Sequence, residues 1–126
     1  MTSMTGLMQG AAFNWINGEP APTREHLECR NPATGLLITP LARGQASDVD
    51  AAVRAAQAAA PAWGARSFED RAAILDRIAD GIEAHIDALA SIESQDQGKP
   101  VSLARRIDIP RAVANFRFFA GAVRHQ

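Results

Sequence analysis

Apolar and polar positions change rhythm once along the chain. Through residue 42 the apolar residues come in short runs broken by turn formers. Beyond it they recur every three or four positions. Phe13-Asn14-Trp15-Ile16 is a short aromatic and β-branched run that ends in Asn17-Gly18, a turn signal because both residues tolerate positive φ. Glu19-Pro20-Ala21-Pro22 is excluded from any central strand, since proline has no N–H for a ladder. Leu27 to Arg30 and Leu36 to Leu41 flank Asn31-Pro32-Ala33-Thr34-Gly35, in which Pro presets φ and Gly supplies a left-handed position. These patterns predict a small antiparallel β unit over residues 13–42, preceded by a loose leader over residues 1–12.

The second rhythm predicts helices. Ser47 ahead of Asp48-Val49-Asp50 reads as an N-cap with acids in the first turn, and Pro61 ends or bends the helix that follows. Ser67-Phe68-Glu69-Asp70 repeats the start signal. Leu75, Ile78, Ile82, Ile86, Leu89 and Ile92 then share one helical face, with a break expected near Gly81–His85. Gly98-Lys99-Pro100 is a stop. After a short piece at Leu103–Arg106, Asp108 is a candidate N-cap with Pro110 in the first turn. Val113, Phe116, Phe119 or Ala120, and Val123 mark the apolar face of a last helix. The expected fold class is α/β, a small antiparallel β unit followed by α-helices.

Composition narrows the function. Thirteen Lys+Arg against fourteen Asp+Glu leave a net charge of −1, which argues against a nucleic-acid binder and against capture by an anionic membrane surface. No apolar run approaches the ~18 residues of a membrane span. The first twelve residues carry no Lys or Arg and so no signal-peptide n-region. With a single cysteine this predicts a cytoplasmic protein. Alanine fills 26 positions, seven of them between Ala51 and Ala60. Such small side chains bury little surface each, so the isolated chain is expected to be marginally stable and to self-associate through its last helix.

Reactive constellations are sparse. Cys29 and His26 lie three apart on a strand and so point to opposite faces, which suits a filler better than a thiolate pair. His26, His85 and His125 have no metal-ligand spacing. Glu93 and Asp96 could make a carboxylate pair, but two acids near a helix end are ordinarily solvated. Neither a G-x-G-x-x-G nor a Walker A loop occurs. Arg105, Arg106, Arg111, Arg117 and Arg124 make the last quarter basic, a pattern that usually marks a solvated face.

Taken in order, Asn31-Pro32-Ala33-Thr34-Gly35, Ser47-Asp48-Val49-Asp50-Ala51-Ala52-Val53, Pro61-Ala62-Trp63, the Arg71 to Ile86 helix and Glu93-Ser94-Gln95-Asp96-Gln97-Gly98-Lys99-Pro100 resemble the amino-terminal portion of the NAD(P)-dependent aldehyde dehydrogenase superfamily. Asp108-Ile109-Pro110-Arg111 with Asn115-Phe116-Arg117-Phe118-Phe119-Ala120 is similar to the branch acting on 2-aminomuconate and 2-hydroxymuconate semialdehydes. The resemblance runs from Trp15 onward, so residues 13–126 are expected to be the amino-terminal segment of such a domain.

Several expectations follow from the resemblance alone. The reaction would be aldehyde to acid with NAD or NADP as hydride acceptor, on a small-molecule aldehyde carrying a carboxylate. The family's catalytic cysteine, general-base glutamate, oxyanion-hole asparagine and cofactor loop lie beyond this sequence, and Cys29 matches none of them. The chain is therefore expected to be a truncated product, a gene fragment or one piece of a split protein, inactive by itself. Its partners would be the remainder of the dehydrogenase and further copies in a homo-oligomer. Some members hold K+ or Na+ through carbonyls just before the Asn-Pro turn and the aspartate of Asp-x-Gly-Lys-Pro, which correspond to Cys29, Arg30 and Asp96; a backbone-capping Asp96 is the plainer alternative. Arg111 falls on the helix that lines the family's substrate tunnel and would bind the substrate carboxylate, with a salt bridge as its alternative. The competing function class is a non-catalytic helical interaction module.

Overall fold

The computed structural model describes residues 12–125. Of these, the residues up to Ala62 form one compact unit and those from Trp63 a second.

The first unit is built on two hairpins. Strands β1 (Asn14–Ile16) and β2 (Glu19–Ala21) pair antiparallel, with Trp15 opposite Pro20. Asn17 at φ 55° and Gly18 at φ 80° make the two-residue connection, a turn with both central residues left-handed that matches the strands' twist. Pro20 is accommodated because β2 is an edge strand. Strands β3 (His26–Arg30) and β4 (Leu37–Ala42) form the second hairpin. Between them the Asn31–Gly35 turn closes on Asn31: its carbonyl accepts from Gly35 N–H at 2.7 Å and its side-chain Oδ1 from Ala33 N–H at 2.9 Å. Gly35 supplies φ 73°. The expected β unit over 13–42 is therefore present. Ala12, assigned to the leader, is instead tied in, donating to the Pro40 carbonyl at 2.8 Å and accepting from Ala42 N–H at 2.7 Å. The rest of the leader lies outside the described residues.

Helix α1 (Ala46–Gly64) starts two residues earlier than an N-cap at Ser47 implies. The acid of the first turn does the capping: Asp48 Oδ2 accepts from Gln45 N–H at 2.8 Å. Ser47 thus falls inside the helix, and Pro61 sits in its last turn without ending it.

The second unit is helical throughout. Helix α2 (Phe68–Ala84) opens on Ser67, whose Oγ accepts from Asp70 N–H at 3.0 Å. It ends at His85, whose Nδ1 stands 2.8 Å from the Gly81 carbonyl oxygen, and α3 (Ile86–Gln97) follows directly. Gly98 closes α3 in the left-handed conformation, φ 74°. Pro100 precedes the single turn α4 (Val101–Leu103), which runs into a π-helical segment, Ala104–Asp108, and then into α5 (Ile109–Arg124).

The π turn has a local cause. Pro110 has no N–H to return to the preceding turn, and its ring crowds the carbonyl four residues back. The chain widens before it, and Ile109 N–H bonds the Ala104 carbonyl, five residues back. Asp108 consequently has helical dihedrals and no capping bond; it is not the N-cap that its position suggested.

Helices α2 and α5 pack antiparallel, as their ion pairs show: Glu69 and Asp76 meet Arg124, while Asp80 and Glu83 meet Arg117. The seam between them is made of small residues. Ala72 and Ala79 on α2, and Val113 and Ala120 on α5, are buried, each pair one heptad apart. Ala90 and Ala104 are fully buried as well. The larger apolar face marked by the three- and four-residue spacing is only half-buried, and Ile78 is exposed. Alanine therefore supplies the innermost positions. Its lack of a γ-carbon lets the helix axes approach closely.

Candidate functional site

Helix α5 carries two different faces. Val113, Phe116, Ala120 and Val123 form the buried or half-buried one. Arg111, Asn115, Phe118 and Ala122, at spacings of four, three and four, form an exposed stripe, with Phe118 69% and Phe119 58% accessible. The two rings meet edge to face with centroids 5.3 Å apart. Phe119 belongs to the exposed side; Ala120 holds the buried position.

Most of the basic residues here are spoken for. Arg117 donates to Glu83 Oε2 at 2.5 Å and to Asp80 Oδ1 at 3.2 Å, and these bonds raise its already high pKa. Arg124 donates to Asp76 Oδ2 at 2.6 Å and to both Glu69 oxygens at 3.2 Å. Arg105 donates to Asp87, and Arg106 to the Ser102 carbonyl. Arg111 is different: it is exposed, and among the described residues it has no ion pair or hydrogen-bond partner. Three arginines of the expected solvated charge run are thus in ion pairs; Arg106 bonds a backbone carbonyl, and Arg111 is left over.

A second polar centre lies at the α3–α5 junction. Lys99 Nζ donates to Glu93 Oε1 and to Asp108 Oδ2, both at 2.8 Å, with all three side chains only about a quarter to a third exposed. The bonds to Asp108 and then Glu93 hold the ammonium pKa above its usual value. Ser94 Oγ donates to the Lys99 carbonyl at 2.6 Å, pinning the backbone of the same turn. Sequence spacing paired Glu93 with Asp96 and gave Asp108 a capping role. The actual partner is Lys99, six residues on from Glu93 and nine before Asp108, across a glycine turn. No helical or strand period marks such a spacing.

The remaining candidates are placed as follows. Cys29 and Arg30 close β3, where the pairing with β4 shifts register and leaves Ile38 as the extra residue. The Arg30 side chain donates to Glu28 at 2.7 Å and to the Gly35 carbonyl at 3.0 Å. Asp96 lies in the last turn of α3, where Oδ2 accepts from Gln97 at 2.7 Å. Among the described residues no three His, Cys, Asp or Glu side chains are grouped as a metal site. One groove of the first unit, about 240 Å³, is lined by Trp15, Ile16, Asp48, Val49 and Ala52. Asp48 is occupied in capping there, so the groove offers no free reactive group. No described helix is long and apolar enough to cross a membrane.

Comparison with known proteins places these features. Residues 15–126 match the sequence pattern of the aldehyde dehydrogenase family. The chain is 44% identical over 112 residues to a 2-aminomuconic semialdehyde dehydrogenase of Bos taurus, covering 89% of the chain and 23% of that protein. It is 48% identical over 116 residues to a fluoroacetaldehyde dehydrogenase of Streptantibioticus cattleyicolor, covering 90% and 23%. Among solved structures, an aldehyde dehydrogenase of Bacillus cereus in complex with NAD+ superimposes with a TM-score of 0.90 at 33% identity, over 96% of this chain and 26% of that one. The chain thus spans about a quarter of the length of the proteins it matches.

Proposed function

The chain belongs to the aldehyde dehydrogenase family, and from that premise we propose that it is the amino-terminal segment of an oxidoreductase that converts a carboxylate-bearing semialdehyde to the acid. Its fold, a small antiparallel β unit followed by helices, is the one that segment takes in the family. The observation that carries the substrate reading is Arg111, the exposed arginine of α5 left outside the ion pairs that engage Arg105, Arg117 and Arg124. A planar guanidinium with its donors unspent suits bidentate capture of a carboxylate. Similarity to dehydrogenases named for 2-aminomuconic semialdehyde supports the same reading.

The nicotinamide cofactor, NAD or NADP, accepts the hydride in this chemistry. The chain has no glycine-rich phosphate loop, so none of its residues is assigned to the dinucleotide. The nucleophile and general base are likewise assigned to the remainder of the enzyme, and the 126 residues alone turn over no aldehyde. Residues 13–126 act as the segment proper, with Ala12 joined to its β unit, in a cytoplasmic homo-oligomer. The family resemblance suggests the Cys29 and Arg30 carbonyls as ligands for a monovalent cation, K+ or Na+. Hard oxygen donors suit such an ion, and the register shift at Cys29/Arg30 interrupts the ladder where carbonyl ligands are wanted.

The exposed Phe118–Phe119 pair favours a second reading, a helical interaction module without catalysis. Assay separates the two. The chain joined to the remaining three-quarters of the bovine relative is expected to reduce NAD with a semialdehyde, and the chain alone is not. Absence of turnover by the joined protein, folded as judged by circular dichroism, would favour the module.

A further inference from the structure

We propose that Lys99 is a positioning residue for Arg111: by bridging the Glu93 and Asp108 carboxylates it fixes where α5 begins, and so where the Arg111 guanidinium is presented. Its value for substrate recognition rests on the reading of Arg111 given above; the mechanical coupling does not.

The join between α3 and α5 is a glycine turn that leads into a helical run from Val101, which widens at Ala104–Asp108. Gly98 turns the chain with φ 74°, α4 is a single turn, and Pro110 withholds one N–H from the ladder just where α5 starts. The Ile109 N–H reaches back five residues to Ala104, the wide closure of a π turn. The seam with α2 holds the body of α5; at its first turn, ahead of Val113, the Lys99 side chain supplies the added restraint. Lys99 Nζ is bonded to Glu93 at the end of α3 and to Asp108 at the end of the π turn, each at 2.8 Å. Ser94 holds the Lys99 backbone at 2.6 Å, so the ammonium is anchored at its root as well as at its tip. One further pair crosses the same join, Arg105 to Asp87 at the start of α3.

Asp108 lies three residues, less than one helical turn, before Arg111. A rotation at Asp108 is handed on to Arg111 through Ile109 and Pro110. Without the ammonium, Glu93 and Asp108 become like charges converging on one point, and the join opens.

The test is hydrogen exchange, read residue by residue, on the whole chain. Lys99→Met keeps the length of the side chain and removes its charge. Amides of residues 109 and 111–113 are expected to exchange roughly tenfold faster, with those around Ala72 and Ala79 unchanged. The Arg111 Nε–H resonance, assigned by its loss in Arg111→Lys, should move in Lys99→Met and return in Lys99→Arg. If Lys99→Met does not fold, Glu93→Gln and Asp108→Asn each remove one arm and carry the same readouts. Unchanged exchange at the start of α5, or equal acceleration throughout α2 and α5, would overturn the proposal. Arg111→Ala should leave protection at 109 and 112–113 as it was, so a failure of the substrate reading leaves this result standing.

Discussion

Arg124 Nη2 stands 2.6 Å from Asp76 Oδ2, forty-eight residues earlier in the chain. With Arg117, one heptad before it, Arg124 forms a basic row that meets Glu69, Asp76, Asp80 and Glu83 along the flank of the alanine seam. The side chains are a third or more exposed, so no single pair adds much stability. Their combined effect is on the antiparallel alignment, because each arginine meets its own two acids, one set toward each end of α2. Arg124→Ala is expected to lower Tm by only about 1–4 °C in low salt, and by less in 1 M salt, where screening shrinks the Debye length to roughly 3 Å. A large, salt-independent drop would mean that Arg124 acts through its aliphatic stem.

The seam itself should be far less forgiving. Ala79 and Ala120 are fully buried, so Ala79→Leu or Ala120→Leu must part α2 from α5 or force strained rotamers. A loss of about 1–3 kcal/mol is expected from urea denaturation. Ala58→Leu on the exposed side of α1 is the control and should be near neutral.

Arg111→Ala, in the enzyme completed from the bovine relative, should reduce kcat/KM for a carboxylate-bearing semialdehyde roughly ten- to hundredfold, the loss expected when a charged hydrogen-bond partner is removed. A neutral aldehyde should be affected little. Arg111→Lys should recover part, since an ammonium keeps the charge without the fork. Equal losses on both substrates would make the residue structural. Similarity to a fluoroacetaldehyde dehydrogenase makes the neutral substrate a demanding control.

Lys99 gives a pH dependence of known sign. Its pKa is raised on folding above the usual 10.5, by Asp108 first and Glu93 second. The stability it contributes is fully present below the unfolded value and is lost as pH rises through the folded one. The urea midpoint of the wild-type chain should therefore fall more steeply above about pH 10.5 than that of Lys99→Met. Parallel profiles would exclude the clamp as a contributor to stability.

The exposed aromatics should govern solubility. Phe118→Ser with Phe119→Ser removes two largely accessible rings from α5 and leaves the Val113–Ala120 seam intact. Sedimentation is expected to show less self-association than wild type at equal concentration, with Tm changed by no more than a few degrees.

The residues that announced themselves in the sequence were those whose chemistry acts locally. Asn17-Gly18, Gly35 and Gly98 take the positive φ values that their turns require, and Ser67 caps α2 as its acids suggest. Ser47 and Asp108 carry the same kind of signal and are not caps. Asp48 captures the Gln45 N–H one turn earlier, and the widened turn before Pro110 makes α5 a continuation with no free start. The face of α5 was half legible, because Phe116, Phe118 and Phe119 satisfy the helical period in two phases and burial chooses between them. The Lys99 bridge and the arginine rows were not legible. Their partners lie across a glycine turn or 34 to 55 residues away, distances at which a sequence period carries no information.

The π turn at Ala104–Asp108 also has a bearing on chain length. A turn closed over five residues holds one residue more than an α turn, so the segment stores a surplus. Deleting a residue in the middle of α5 would rotate everything beyond it by about 100°, bringing Gly121 to the place of Ala120 and Ala120 out to the exposed place of Phe119. A deletion within 104–108 could be absorbed by tightening the π turn, leaving Val113 and Ala120 in phase with Ala72 and Ala79. Pro110 sets the condition: the tightened turn would need a residue with an N–H at that position. A shortened variant paired with replacement of Pro110 is thus the form in which this helical unit can lose a residue and keep its seam.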